Sequence, residues 1–188
     1  MKHFNLNLKK ARHWFGIIII GALVATSTLN SGLLRGSAHA SIVSIAQGEI
    51  GSGEAGANNR GPDIKKYFRG KEGSSWCAAF VSYCLYQNDI KEFGYLTLAR
   101  GYINEAKKKN MVVKNPQPGD LIVFWRKSLN DWRGHVGIVE NVKNGKVYTI
   151  EGNVGKFPAK VRRFEYALDN VPRLLGYVRL ETKQNKKV

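Results

Sequence analysis

The feature that most constrains this chain is a change of period at Pro116 and Pro118-Gly119. Upstream of it, apolar residues recur at three- and four-residue intervals. Downstream, short apolar runs are separated by turn residues. The helical half begins with Ser41 to Ile50, which puts Ile42, Ile45, Ala46 and Ile50 on one face. A Gly- and Asn-rich loop follows from Gly51 to Pro62, then a short helical turn over Asp63 to Phe68 and a second loop from Gly70 to Ser75. Ser74 or Ser75 is the expected N-cap of a helix running from Trp76 to about Gln87, and a further helix covers Leu98 to Lys109. The strand half opens with Leu121-Ile122-Val123-Phe124-Trp125, an unbroken apolar run that predicts a strand buried on both faces. The loop Arg126 to Arg133 leads into a strand around Gly134 to Val139. Asn144-Gly145 signals a hairpin into Val147 to Glu151, and Leu174 to Leu180 closes the set. Helices first and antiparallel strands afterwards specify an α+β fold, with N-terminal helices packed on a C-terminal antiparallel β-sheet.

The first forty residues read as a leader. Lys2, Lys9, Lys10 and Arg12 form a basic stretch, Phe15 to Val24 an apolar one, and Ala38-His39-Ala40 a small-x-small cleavage pattern. The apolar core is short for a transmembrane helix. A signal peptide over residues 1–40 is therefore expected, an uncleaved anchor being the alternative, with one domain over 41–180 and a basic tail over 181–188. The chain carries 30 basic and 14 acidic residues, a formal net charge of +16; five of the basic residues and no acidic one lie in the leader, leaving about +11 beyond it. An exported protein of that charge is drawn to polyanions such as cell-wall polymers. Lys and Arg are spread along the chain rather than clustered with aromatics on one stretch, which disfavours a nucleic-acid binder.

Residues 41–188 contain one histidine, His135, and two cysteines, Cys77 and Cys84. On one helix the cysteines stand about 10 Å apart along the axis, beyond disulfide reach. Both are expected as free thiols, and an exported free thiol invites a chemical explanation. Cys77 opens its helix, where unpaired N–H groups and the helix dipole favour thiolate and could also stabilise an oxyanion. Cys84 lies well inside the helix and reads as structural. Taken singly, Cys77, His135, Glu151 and Asn153 are each as readily core or turn residues. Together they supply the nucleophile, the base and the polar orienting groups of a thiol acyl-transfer site.

Register bears on whether these side chains meet. A two-residue turn at Asn144-Gly145 would pair Lys143 with Lys146 and put His135 and Glu151 on opposite faces. A three-residue loop over Lys143-Asn144-Gly145 would pair Gly137 with Glu151 and His135 with Asn153, all on one face. The three-residue loop is the expectation.

Trp76-Cys77-Ala78-Ala79-Phe80-Val81, Pro118-Gly119-Asp120, Gly134-His135-Val136-Gly137-Ile138-Val139 and Glu151-Gly152-Asn153, in this order, resemble the CHAP family of cysteine- and histidine-dependent amidohydrolases and peptidases. The likeness covers roughly residues 45 to 180. It implies a papain-like fold and the hydrolysis of amide bonds, in many members those of bacterial peptidoglycan. It also implies Cys77 as nucleophile, His135 as base, Glu151 as the group orienting the imidazole and Asn153 as a fourth polar member. The chain departs from many wall-lytic members in lacking an acidic calcium loop before the cysteine: between Lys65 and Ser75 only Glu72 is acidic. No metal and no cofactor are therefore expected.

Nothing in the motif names the amide. Export, basicity and the resemblance favour peptidoglycan, cut at the N-acetylmuramoyl–L-alanine amide or at a stem or cross-bridge peptide bond. Trp76, Trp132 and Arg133 are the candidates for substrate contact, with Arg60 beside them. The expected protein is a monomer of the cell wall, periplasm or extracellular space, touching membrane only through its leader. A secreted effector acting on another amide and a non-catalytic wall-binding module are the competing readings.

Overall fold

The computed structural model describes residues 42–180. The leader and the basic tail expected from the sequence lie outside the described residues. The helical half comprises α1 (42–48), α2 (Pro62–Tyr67), α3 (Cys77–Gln87) and α4 (Ala99–Lys108). The strands are β1 (Val112–Val113), β2 (Leu121–Trp125), β3 (Gly134–Lys143), β4 (Lys146–Val154), β5 (Lys160–Ala167) and β6 (Leu174–Val178). They form one antiparallel sheet in the order β1-β6-β2-β3-β4-β5. The fold is α+β, as the change of period at Pro116–Gly119 requires.

Alternation along the strands divides the core into two layers. Val123, Val136, Ile138, Ile150, Val161 and Val178 pack with Phe80, Val81, Leu85 and Ile103 of α3 and α4 in the main cluster. Ile122, Phe124, Val139, Val147 and Tyr177 form a smaller cluster with Tyr166, Val171 and Leu174 packed against it. β2 feeds both layers, which explains its unbroken apolar run.

The register of the central hairpin differs in its device from the expectation. The turn at Asn144-Gly145 has two residues, both at positive φ (52° and 69°), and Lys143 pairs with Lys146. A bulge between Val139 and Asn141 then takes up one residue, so that Ile138 pairs with Ile150. The three-residue loop is thus corrected, while the pairing it was meant to achieve on the site side of the hairpin is reached by the bulge. Two local groups favour the irregularity: the Asn141 side chain accepts the Val142 N–H at 2.8 Å, and the bulged Glu140 takes a bidentate hold on Arg163 at 2.8–2.9 Å.

Two elements were not legible from pattern. β5 was missed because Lys160, Arg162, Arg163 and Glu165 interrupt its apolar residues, as suits an edge strand. The two-residue β1 is too short to give a pattern at all.

The loop ahead of α2 is anchored by a buried carboxylate. Glu54, 1% exposed, accepts Trp76 Nε1–H at 3.2 Å and the Asn59 N–H at 2.9 Å on one oxygen, and the Ala159 N–H at 2.7 Å on the other. Gly53 bridges to Lys160 on the edge strand, where a Cβ would stand 2.4 Å from the Ala159 carbonyl oxygen. One side chain therefore ties the Gly/Asn loop, the residue before α3 and the sheet edge together. Truncating Glu54 to Ala leaves three donors unpaired at a buried site. It should lower unfolding free energy by roughly 3 kcal/mol, read as a lower urea midpoint with an unchanged slope.

Candidate active site

The helix α3 presents Cys77 as its first residue. The expected serine cap is corrected: Trp76 occupies the N-cap position with no side-chain cap, and Ser74 and Ser75 are exposed loop residues. Trp76 can hold this position because it is fully buried, stacked on Tyr67 with ring centroids 5.7 Å apart and bound to Glu54. With no capping side chain, the N–H groups of the first turn have no side-chain acceptor at the N-cap. Cys84, by contrast, is fully buried in the middle of α3, and burial pushes its thiol well up.

His135 comes from the second residue of β3 and is 4% exposed. It pairs across the sheet with Phe124, whose ring lies 5.8 Å from the imidazole. Its Nε2–H donates to Glu151 Oε2 at 2.7 Å. Glu151 is 1% exposed, and its other oxygen accepts the hydroxyls of Thr149 at 2.6 Å and Tyr166 at 2.9 Å. Burial alone would raise this carboxyl, but the His135 hydrogen bond and charge, with the two hydroxyls, hold it below its ordinary value. It is an ionised acceptor with three donors.

Glycine makes this contact sterically possible. A Cβ on Gly137 would stand 2.6 Å from Glu151 Cγ and 3.1 Å from the Ile150 carbonyl oxygen. The Glu151 side chain passes over the bare Cα of Gly137 on its way to His135.

With Nε2 engaged, Nδ1 is the imidazole nitrogen left over; it is buried, has no hydrogen-bond partner among the described residues, and His135 lines the same cleft as Cys77. Burial drives the Cys77 thiol up. The neighbouring His135, the Val136 N–H and the Arg126 charge outweigh it, and the net shift is downward. Burial disfavours the imidazolium likewise, but the Cys77 and Glu151 partners raise His135 to about 9. The pair is set toward thiolate and imidazolium.

Asn153 sits at a positive φ of 61° and lines a cleft of about 290 Å³ with Asn58, Asn59, Ser75, Cys77, Arg126, Arg133 and His135. Cys77, His135, Glu151 and Asn153 are thus brought to one place, although no hydrogen bond joins Asn153 to His135. The substrate-contact candidates separate. Trp76 is corrected: it is core, with no surface to offer a ligand. Trp132 is 69% exposed and borders neither described cleft, with Arg133 beside its ring. Arg133 lines the cleft but is held by Asp131 at 2.6–2.7 Å. Arg60 pairs with Glu72, the acidic residue of the following loop, at 3.0 Å.

Sequence reading missed Thr149, Tyr166, Phe124, Arg126 and Glu54. Thr149 was within reach, since a residue two before Glu151 shares its face of a strand. Tyr166 was not, because it lies on the unrecognised β5.

Residues 69–153 match the family model of the CHAP domain, a span that contains Cys77, His135, Glu151 and Asn153. The match supports membership of the CHAP family. CHAP domains are typically cysteine- and histidine-dependent amidohydrolases. No curated protein matches the sequence. Among solved structures, the one titled "The crystal structure of Ly7917" is similar at a TM-score of 0.48 and 16% identity, over 76% of this chain and 62% of that one. The chain therefore spans less than two thirds of that protein's length.

The coupling of thiol and imidazole has a direct readout. The wild-type His135 C–H resonances should titrate near 9. In Cys77→Ala the thiolate that raises the imidazole is gone while burial remains, so the titration should move down toward neutrality. An unmoved midpoint would show that the two groups do not interact.

Proposed function

We propose that this protein is an exported cysteine amidohydrolase that cleaves amide bonds in bacterial peptidoglycan through Cys77, His135 and Glu151. The observation that carries the mechanism is the buried Glu151–His135 hydrogen bond at 2.7 Å, which leaves Nδ1 for a thiol at a helix N-terminus. The Cys77 thiolate attacks the amide carbonyl, and the first-turn N–H groups receive the developing oxyanion. His135 gives its Nδ1 proton to the leaving amine as the C–N bond breaks, forming a thioester. The neutral imidazole then takes a proton from water, whose oxygen attacks the thioester and releases the acid and the thiolate. Glu151 stays ionised throughout: it fixes the ring orientation and favours the imidazolium. Asn153 supplies a polar wall to the cleft.

Three features support the wall as substrate: the leader-like first forty residues, the basic balance of the rest of the chain, and the match to a family commonly directed at peptidoglycan. A basic surface would concentrate the enzyme on anionic wall polymers, an attraction that weakens as salt rises.

The test is release of soluble fragments from purified peptidoglycan, identified by mass spectrometry. Wild type should release fragments whose new termini tell amidase from endopeptidase. Cys77→Ala should lose roughly 10⁴-fold or more in rate, and Glu151→Gln about ten- to a hundredfold, because the nucleophile survives while the imidazole is less well held. No release from walls of several chemotypes would refute the wall as substrate.

The pH profile should be a bell. Activity rises as the thiolate forms, below the ordinary thiol range because the Cys77 pKa is lowered, and falls near 9 as His135 loses the proton it must donate. A rise that begins only at the ordinary thiol value would refute the ion-pair mechanism.

A further inference from the structure

Three arginines surround His135, and they differ in what they are doing. Arg126 and Arg133 border the cleft that holds Cys77. Arg126 and Arg173 border a second cleft, of about 370 Å³, which His135 also lines, together with Phe124, Trp125, Val154 and Tyr166. Arg133 is committed to Asp131 through two bonds of 2.6 and 2.7 Å. The Arg173 guanidinium lies over the Trp125 ring, 5.5 Å from its centroid. Arg126 borders both clefts and forms no ion pair with a carboxylate among the described residues.

Its surroundings supply no acid either. The thiol cleft is bordered by no carboxylate. Glu151, which borders the second cleft, is buried and already accepts from His135, Thr149 and Tyr166. Arg126 is also held in place through its backbone. Its N–H donates to the Arg133 carbonyl at 3.2 Å, and the Ser128 N–H donates to the Arg126 carbonyl at 2.8 Å, closing the β2–β3 loop at the edge of the site. That loop is fastened to α4 by Arg100, which donates to the Asp131 carbonyl at 2.6 Å. An uncommitted guanidinium on a fastened backbone, beside the nucleophile and facing no acid, is suited to an anionic group of the ligand. Its planar fork fits a carboxylate.

We infer that Arg126 determines substrate specificity by holding a free carboxylate of the substrate next to the scissile amide. The substrate class is then an anionic peptide, with the carboxylate borne by a residue flanking the bond that Cys77 attacks. The same peptide carrying a neutral carboxamide there would be a poorer substrate. This deepens the reading of Cys77 as a reactive thiol and rests on it.

Iodoacetate and iodoacetamide separate the two ideas. With each reagent the Cys77 thiolate displaces iodide and forms a sulfur–carbon bond; the reagents differ in bearing a carboxylate or a neutral amide. Rates at Cys77 in the full chain would be followed by mass spectrometry of the peptides containing Cys77 and Cys84, with free cysteine as the reference thiol. The ratio of iodoacetate to iodoacetamide rates should exceed that of free cysteine by roughly tenfold in wild type, the size of one carboxylate–guanidinium contact at a partly exposed site. Arg126→Gln should return the ratio to that of free cysteine, and Arg126→Lys should keep part of it. An effect of Arg126 on the thiol alone would slow both reagents alike and leave the ratio unchanged. If Cys77 reacts with both reagents and the ratio is the same in wild type and Arg126→Gln, the carboxylate role is overturned and the nucleophile stands. If Cys77 resists both reagents, the reactive-thiol reading fails and this inference falls with it.

Discussion

The buried hydrogen bond between Glu151 and His135 is the constraint that the sheet half of this protein is built to satisfy. A carboxylate with 1% of its surface exposed is expensive to ionise unless its lone pairs are met. Here a single hydrogen bond to imidazole would be insufficient, and the Thr149 and Tyr166 hydroxyls complete the set. That requirement brings in the rest: Thr149 two residues before Glu151 on the same strand face, and Tyr166 on the neighbouring edge strand. The bulge that lets Ile138 pair with Ile150 serves the same end. β5, which looks dispensable by sequence, is needed because it brings the second hydroxyl to Glu151.

The electrostatics of the thiol follow from that arrangement. A buried cysteine on its own is pushed toward the neutral form, as Cys84 shows in the same helix. Cys77 goes the other way although it too is 7% exposed or less, because an imidazolium stands beside it. The imidazolium persists because Glu151 stands behind the ring. The chain of influence runs from hydroxyl to carboxylate to imidazole to thiol, and each link is a contact between buried groups where charges act strongly.

The parts of this structure that sequence could supply are those set by local chemistry. The change of period at Pro116–Gly119 marked helices from strands. The apolar run of β2 marked a strand feeding two layers, and His135, the one histidine of residues 41–188, left no rival there for the base. What sequence could not supply depended on choices between near-equal local options. Asn144-Gly145 admits a two- or a three-residue connection, and Glu140 as a bulge residue carries no signal of its own. Ser74 and Ser75 are better caps than Trp76 by propensity, yet burial of the indole against Tyr67 and its bond to Glu54 outweigh a cap worth about 1 kcal/mol. The same tertiary contacts turned Trp76 from a candidate for substrate contact into a core residue.

Two buried carboxylates divide the work of positioning, and a glycine joins their territories. Glu54 holds Trp76, whose successor is Cys77; Glu151 holds His135. The residue after Glu151 is Gly152, and a Cβ there would stand 2.5 Å from Trp76 Cζ3 and 3.3 Å from Phe80 Cδ1. The indole that precedes the nucleophile therefore lies directly on the backbone that follows the orienting acid. Any larger residue at position 152 would lift the start of α3 off the sheet and draw Cys77 away from His135, without touching either side chain. Trp-Cys and Glu-Gly-Asn are in this sense one unit split across the chain: the aromatic needs the glycine to sit down, and the thiol is in register with the imidazole only when it does. A site of this kind is specified as much by what is absent at Gly137 and Gly152 as by the groups that do the chemistry.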